Sequence, residues 1–260
     1  MKRHIAGLYF LLGVWFLPIF ALVLRALAKT WQWPRLLPKD MNLDPWFHLF
    51  REGSTTLQAI GTTVMIALAV ILVNLLVAIP AANILGRYAF KGRSLINITL
   101  TAPILLPPLA LSIGMHRTLI RYGLDDHIIG VIIALIVPTM PYMLRALIVG
   151  FESLGFQLEE QAATLGARPL QRLQYVVLPS LLPAVIAGAS ITTLITISQY
   201  ASVLLIGGGI VQTLPVVTFP FLLSGNETFG SVYTIVFALL AVLLLLFLEV
   251  GLKRYYRKDL

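Results

Sequence analysis

Six apolar runs, at about 5–28, 57–85, 95–115, 128–149, 178–205 and 229–252, dominate this chain. Each is long enough to cross a hydrocarbon core of about 30 Å, which takes roughly 20 residues as helix. Lipid offers no partner to a backbone N–H or C=O, so a crossing segment must satisfy its own hydrogen bonds, and runs of this length do so as helices. The breaks between them carry turn and charge signals: WPRLLPKD, GRYAFKGR, RYGLDD, a charged stretch after the fourth run, and GGGIVQTLP. None has room for a soluble domain. The expected fold is all-α, a polytopic membrane protein with about six transmembrane helices. With 58% of its 260 residues hydrophobic and only 12% charged, the composition excludes an ordinary soluble globular domain. Its expected divisions are a first span with an outer interfacial loop (1–56), a core of five spans (57–252) holding a polar segment at 155–178, and a basic tail (253–260).

Lys and Arg placement sets the orientation. With the amino terminus in the cytoplasm, seven of the 19 basic residues (Arg25, Lys29, Arg35, Lys39, Arg51, Arg117 and Arg121) fall outside and the other 12 inside. The bias puts both termini and the 155–178 segment in the cytoplasm. The net charge of +8 is thus spread along membrane interfaces, which suits lipid headgroups and not nucleic acid. Lys2, Arg3 and His4 ahead of an apolar stretch ending in Ala26-Leu27-Ala28 have the look of a secretory leader. The stretch is longer than a usual leader core, however, and as a retained helix Arg25 and Lys29 reach the outer interface. Asp44-Pro45 marks a short helix start in an aromatic outer loop.

Several chemistries are missing. There is no Cys, and the four His are scattered, so neither a disulfide framework nor a metal cluster is readable. Spans two to five hold no acid or base away from their ends, leaving nothing to titrate for proton coupling. No phosphate cradle is present: Gly207-Gly208-Gly209 lacks the Lys and Ser/Thr that such a loop needs. No HExxH helix, GxSxG turn or paired-carboxylate site appears, so the chain does not read as an enzyme. Asp125-Asp126-His127 is the one ionic cluster outside and is expected to cap the fourth long helix.

The polar segment, LEEQAATLGARPLQRLQYVVLPSLLP, is amphipathic and bent. Glu159 and Glu160 complement the dipole at a helix start, Gly166 permits a turn, and Pro169 opens a second short helix expected to run to Leu178-Pro179. The pattern Glu-Ala-Ala, three residues, Gly, nine residues, Ile, one residue, Leu-Pro resembles the cytoplasmic signature of binding-protein-dependent ABC importer permeases of the type I, MetI-like fold. Glu160, Ala162, Gly166, Leu178 and Pro179 match; Gln161 stands for the first Ala and Val176 for Ile. The likeness extends over roughly residues 50 to 250, through the aromatic and basic turn after the second span and the Pro-broken third span. Among such permeases it is nearest those for polyamines, iron, thiamine, phosphonates or oxyanions.

Membership in that family implies a coupling helix between spans four and five, docked on an ATPase through Glu159, Glu160, Gln161, Ala162, Gly166, Ala167, Leu178 and Pro179. It implies two ABC ATPase subunits that carry the ATP and Mg, no cofactor on this chain, a second permease chain, and an external solute-binding protein, at a bacterial inner membrane. For the solute route, Thr192, Thr196 and Gln199 recur at near-helical spacing beside Ser198 and Tyr200, and Pro107 and Pro108 can free carbonyls toward a cavity. Hydroxyls also serve as glue between helices, the role expected of Asn74 and Asn83. A carrier or channel working without an ATPase is the competing reading.

Overall fold

The structure, a computed structural model, describes residues 2–29, 31, 35, 37–51 and 53–257, with side chains from 13 to 251. The described residues are almost all helical and contain no strand, only an isolated bridge between Ala28 and Met41. The first helix, α1, covers Lys2–Leu27, and the outer loop holds the short α2 (Asp44–His48), started by Pro45 as expected. Three long rods follow the apolar runs closely: α3 (Thr56–Arg87), α6 (Ile128–Leu154) and α12 (Glu227–Arg257). Between α3 and α6 lie α4 (Arg93–Thr101), a tight 3-10 turn (Ala102–Leu105) and α5 (Pro108–Arg121).

After α6 come α7 (Gln157–Thr164) and α8 (Pro169–Arg172), then α9 (Leu178–Ser198), α10 (Tyr200–Gly207) and α11 (Leu214–Leu223). Among the described residues four helices are long and apolar enough to cross a membrane, or five if the bent pair around Leu106 and Pro107 counts as one span. That pair turns by 102°. Pro103, Pro107 and Pro108 cause it: each lacks an N–H, and the residue before a proline is driven out of helical geometry. Leu106 accordingly has ψ 136°.

Two expectations about the fifth run fail. The second short helix does not close at Leu178-Pro179; it runs through a wider π-type turn at Leu173–Val177 straight into α9, one helix from Pro169 to Ser198. Pro179 has no N–H for a carbonyl one turn back, and the widened turn accommodates that vacancy within a continuous helix. The run also does not reach 205 unbroken, because Gln199 (φ −80°, ψ 87°) separates α9 from α10. The break after Gly207-Gly208-Gly209, read from its turn signals, contains α11.

The centre of the bundle is α3, α6 and α9, where Ala78, Ala82, Leu144, Leu147, Leu181 and Ala189 are fully or almost fully buried. Half of the apolar window of α6 is buried inside the chain, against 17% for α12, so α6 is the axle and α12 a peripheral rod. A second apolar cluster joins α3, α5, α6 and α10 through Val70, Leu119, Val131 and Ile206. Asn74 donates to Thr139 Oγ1 at 2.8 Å, tying α3 to α6 as expected. Asn83 makes no such side-chain bond among the described residues, and its buried Oδ1, like that of Asn74, accepts none. Nor does the Asp125–His127 cluster cap α6 through a side chain; the Asp126 N–H donates instead to the Ile206 carbonyl at 2.8 Å, joining that turn to α10.

Candidate functional site

The polar segment forms an elbow whose geometry begins with a glycine on another helix. Gly86, in the last turn of α3, meets α6 so closely that an added Cβ would lie 2.9 Å from the Ile148 carbonyl and from Phe151 Cβ. The close approach carries the next residue, Arg87, against the end of α6. Its side chain is only 4% exposed and forms an ion pair with Glu159. The guanidinium carbon lies 4.9 Å from the ring centre of Phe151 and 5.1 Å from that of Phe156. Those faces attract a cation, and they occupy the space around Nε and Nη2, which have no hydrogen-bond partner.

Two further contacts flank this pair. Tyr88 meets Phe156 edge-on, with centroids 5.3 Å apart, and Arg93 bonds to Glu152 at 2.8 Å. The turn from Arg87 to Arg93 thus grips the α6–α7 junction at three points.

Glu159 and Glu160, adjacent in sequence and both in the first turn of α7, have opposite fates. Glu159 turns inward to Arg87, whereas Glu160 is exposed, as are Gln161 and Gly166. Ala162, Ala167, Leu178 and Pro179 are half-buried. α7 ends in a Schellman motif: the Ala167 N–H donates to the Ala162 carbonyl and the Gly166 N–H to the Ala163 carbonyl, each at 3.0 Å. Gly166 sits at φ +87°, the left-handed conformation that this ending requires, and an added Cβ there would touch nothing within 4 Å. Its need for glycine inside this chain is conformational, not steric. Leu165 is 88% exposed and Tyr175 72%, so the elbow carries apolar side chains that this chain leaves uncovered.

The expected solute-route residues divide into two groups. Thr192, fully buried, and Thr196 point into the bundle, and neither hydroxyl has a partner. Ser198, Gln199 and Tyr200 lie at the break between α9 and α10, where Ser198 is exposed. Ser198 and Tyr200 line a hollow of about 210 Å³ with Pro215, Thr218, Phe219 and Phe237, and Tyr200 stacks on Phe219 at 3.9 Å. Pro107 and Pro108 are exposed at the other break. Hydroxyls lace the two breaks together: Ser112, whose hydroxyl bonds back to the Pro108 carbonyl, lies 2.7 Å from Ser202 Oγ, and Ser202 donates to Gln199 Oε1 at 3.0 Å.

Sequence reasoning missed Ser112 and Ser202, and it named Arg87, Arg93 and Tyr88 only as charge or turn signals. Lone hydroxyls and lone bases have no periodicity to expose them. Gly86-Arg87 before an aromatic-basic turn was the available cue.

Apolar rods around an α6 axle, with two of the apolar runs interrupted where polar groups gather, suit an integral membrane protein, and broken helices of this kind occur where transporters line a path. Residues 77–257 match the family described as the binding-protein-dependent transport system inner membrane component. This chain belongs to that family. It is similar to the probable sulfate transport system permease protein cysT of Helicosporidium sp. subsp. Simulium jonesii, at 25% identity covering 90% of this chain and 87% of the relative. It is also similar to the sulfate transport system permease protein CysW of Escherichia coli (strain K12), at 29% identity covering 81% and 76%. Its fold resembles a bacterial ABC transporter involved in the import of the acidic polysaccharide alginate, with a TM-score of 0.69 at 18% identity, covering 97% of this chain and 96% of that one. The chain is accordingly a permease component of an ABC importer, a transport family and not a catalytic one.

Proposed function

We propose that this permease crosses the inner membrane six times with both termini in the cytoplasm, pairs with a second permease chain, and docks its elbow on two ATPase subunits that hold the ATP and Mg. α1 is the sixth span in this reading, and α7 is the coupling helix. The observation that carries it is the elbow itself: exposed Glu160, Gln161 and Gly166 beside uncovered Leu165 and Tyr175, on a segment that links α6 to α9. ATP binding draws the ATPases together, the docked elbows follow as rigid bodies, and the permease pair rocks between inward-open and outward-open states. The ATPases must bind the two states with different free energy, and the elbow is where that difference enters. Ala162, Ala167, Leu178 and Pro179 shape the elbow from its half-buried side.

The solute, delivered by an external binding protein, passes the two helix breaks at Pro107-Pro108 and Ser198-Gln199-Tyr200. Its class is a small oxyanion. Two relatives spanning most of the chain are named for sulfate transport, and the route residues include hydroxyls and an amide but no carboxylate that would repel an anion.

The test is reconstitution of the chain with its co-purifying ATPase in liposomes. With ATP enclosed and the solute-binding protein supplied outside, ATP-driven accumulation of labelled sulfate or a related oxyanion is expected, together with its loss when Glu160 is changed to Ala. Purified chain that retains no ATPase, or that moves solute down a gradient without one, overturns the proposal.

A further inference from the structure

We propose that the turn from Arg87 to Arg93 is a clasp that holds the elbow to the end of α3, with Arg87 as its positioning residue. The inference rests on the docking role of the elbow and adds a third attachment to it. Chain connectivity joins α7 only to α6 and, through α8, to α9. Arg87 adds α3 by a contact that is not covalent: its ion pair with Glu159 and its place between the Phe151 and Phe156 rings. Tyr88 against Phe156 and Arg93 on Glu152 complete the grip.

Burial decides what this arrangement does. A guanidinium that is 4% exposed strongly disfavours losing its counter-charge, so Glu159 is held to one place and α7 is oriented with it. The ion pair spans 72 residues of sequence and the clasp engages both sides of the α6–α7 junction. Displacing α7 without α3 therefore requires separating an ion pair whose guanidinium is buried and moving Arg87 off two aromatic rings. The clasp makes α3, α6, α7 and α9 one body at this end. It also separates the two acids: Glu159 belongs to the clasp, and Glu160 is the acid left for a partner.

The chain has no native Cys, so single labels can be placed without background. A spin label on Leu165→Cys, at an 88% exposed site outside every clasp contact, reports motion of α7 in the full chain in nanodiscs. A second cysteine variant, Ile210→Cys at a 72% exposed site, reports by maleimide labelling how the opposite end responds to ATP in the complex with its ATPase. Arg87→Met is expected to shift the label's spectrum toward faster motion than in the native background and to abolish the ATP-dependent change in labelling. Arg87→Lys, which keeps the charge but not the planar stack, is expected to recover part of both. A residue that merely contributed stability would lower yield without selectively freeing the label.

If Arg87→Met fails to insert, Glu159→Gln and Tyr88→Ala weaken the same clasp from its other sides and are read identically. Variants that insert yet keep the native spectrum and the ATP response overturn the clasp while leaving the docking role standing. A native chain that retains no ATPase overturns the docking role, and the spin-label spectra then still judge the clasp alone.

Discussion

The middle of the α3–α6 pair and its Arg87 end are built from different materials. Midway along, at Asn74 and Thr139, the helices are joined by one neutral hydrogen bond among small apolar side chains. At the Arg87 end α3 meets α6 through a guanidinium over the Phe151 ring and meets α7 through an ion pair. The contrast follows from the surroundings. Deep in a bilayer an ion has no water to fall back on, and an amide–hydroxyl bond contributes only about 0.6 kcal/mol on average, because partners also exist in the unpacked state. Near the interface, ions are tolerable and a buried pair becomes a specific lock whose halves are costly to separate. The first region fixes how closely the rods pack; the second fixes which segment is attached to them.

The comparison can be broken most decisively at Glu159. Glu159→Ala leaves the buried Arg87 without a counter-charge and is expected to destabilise that end by about 3 kcal/mol, measured as earlier proteolysis at the α6–α7 junction in detergent. Gly86→Ala comes next. It forces a methyl to within 2.9 Å of the Ile148 carbonyl, and overpacking of that kind costs about 2 kcal/mol, read as a lower thermal midpoint.

Gly166→Ala is expected to cost about 1 kcal/mol, the penalty for an L-residue in the left-handed conformation, and to loosen the Schellman ending with no steric effect in the isolated chain. Hydrogen exchange at Gly166 and Ala167 reports it, and any larger effect seen only in the assembled complex measures a partner pressed against that turn. Asn74→Ala should be the mildest change, about 0.6 kcal/mol, in SDS unfolding. An Asn74 effect exceeding that of Glu159 would reverse the assignment of roles to the two regions.

Much of the rod layout was legible in advance, because burial in lipid imposes one rule on every residue of a long segment. α3, α6 and α12 follow their apolar runs, and Pro107-Pro108 marks the bend because proline acts locally, wherever the rest of the chain lies. Gly166 was legible for the same reason. The continuous helix from Pro169 to Ser198 was not: Pro179 reads as a stop unless a widened turn accommodates it, and nothing in the local residues announces that turn. The Gln199 break and α11 escaped because each depends on what α5 and α12 place beside them. The partner of Arg87 escaped because ion pairs carry no period. Of the expected solute-route residues, Thr192 and Thr196 shared a periodic stripe with Gln199, yet the helix ends at Ser198, so the stripe does not continue to a common face.

The widened turn at Leu173–Val177 bears on how force travels. An elbow tethered by a slack loop would absorb a shove by flexing. The second half of this one is the near end of the same thirty-residue shaft that terminates beside Gln199, so a displacement at Pro169 is carried toward the far tip along a continuous helix.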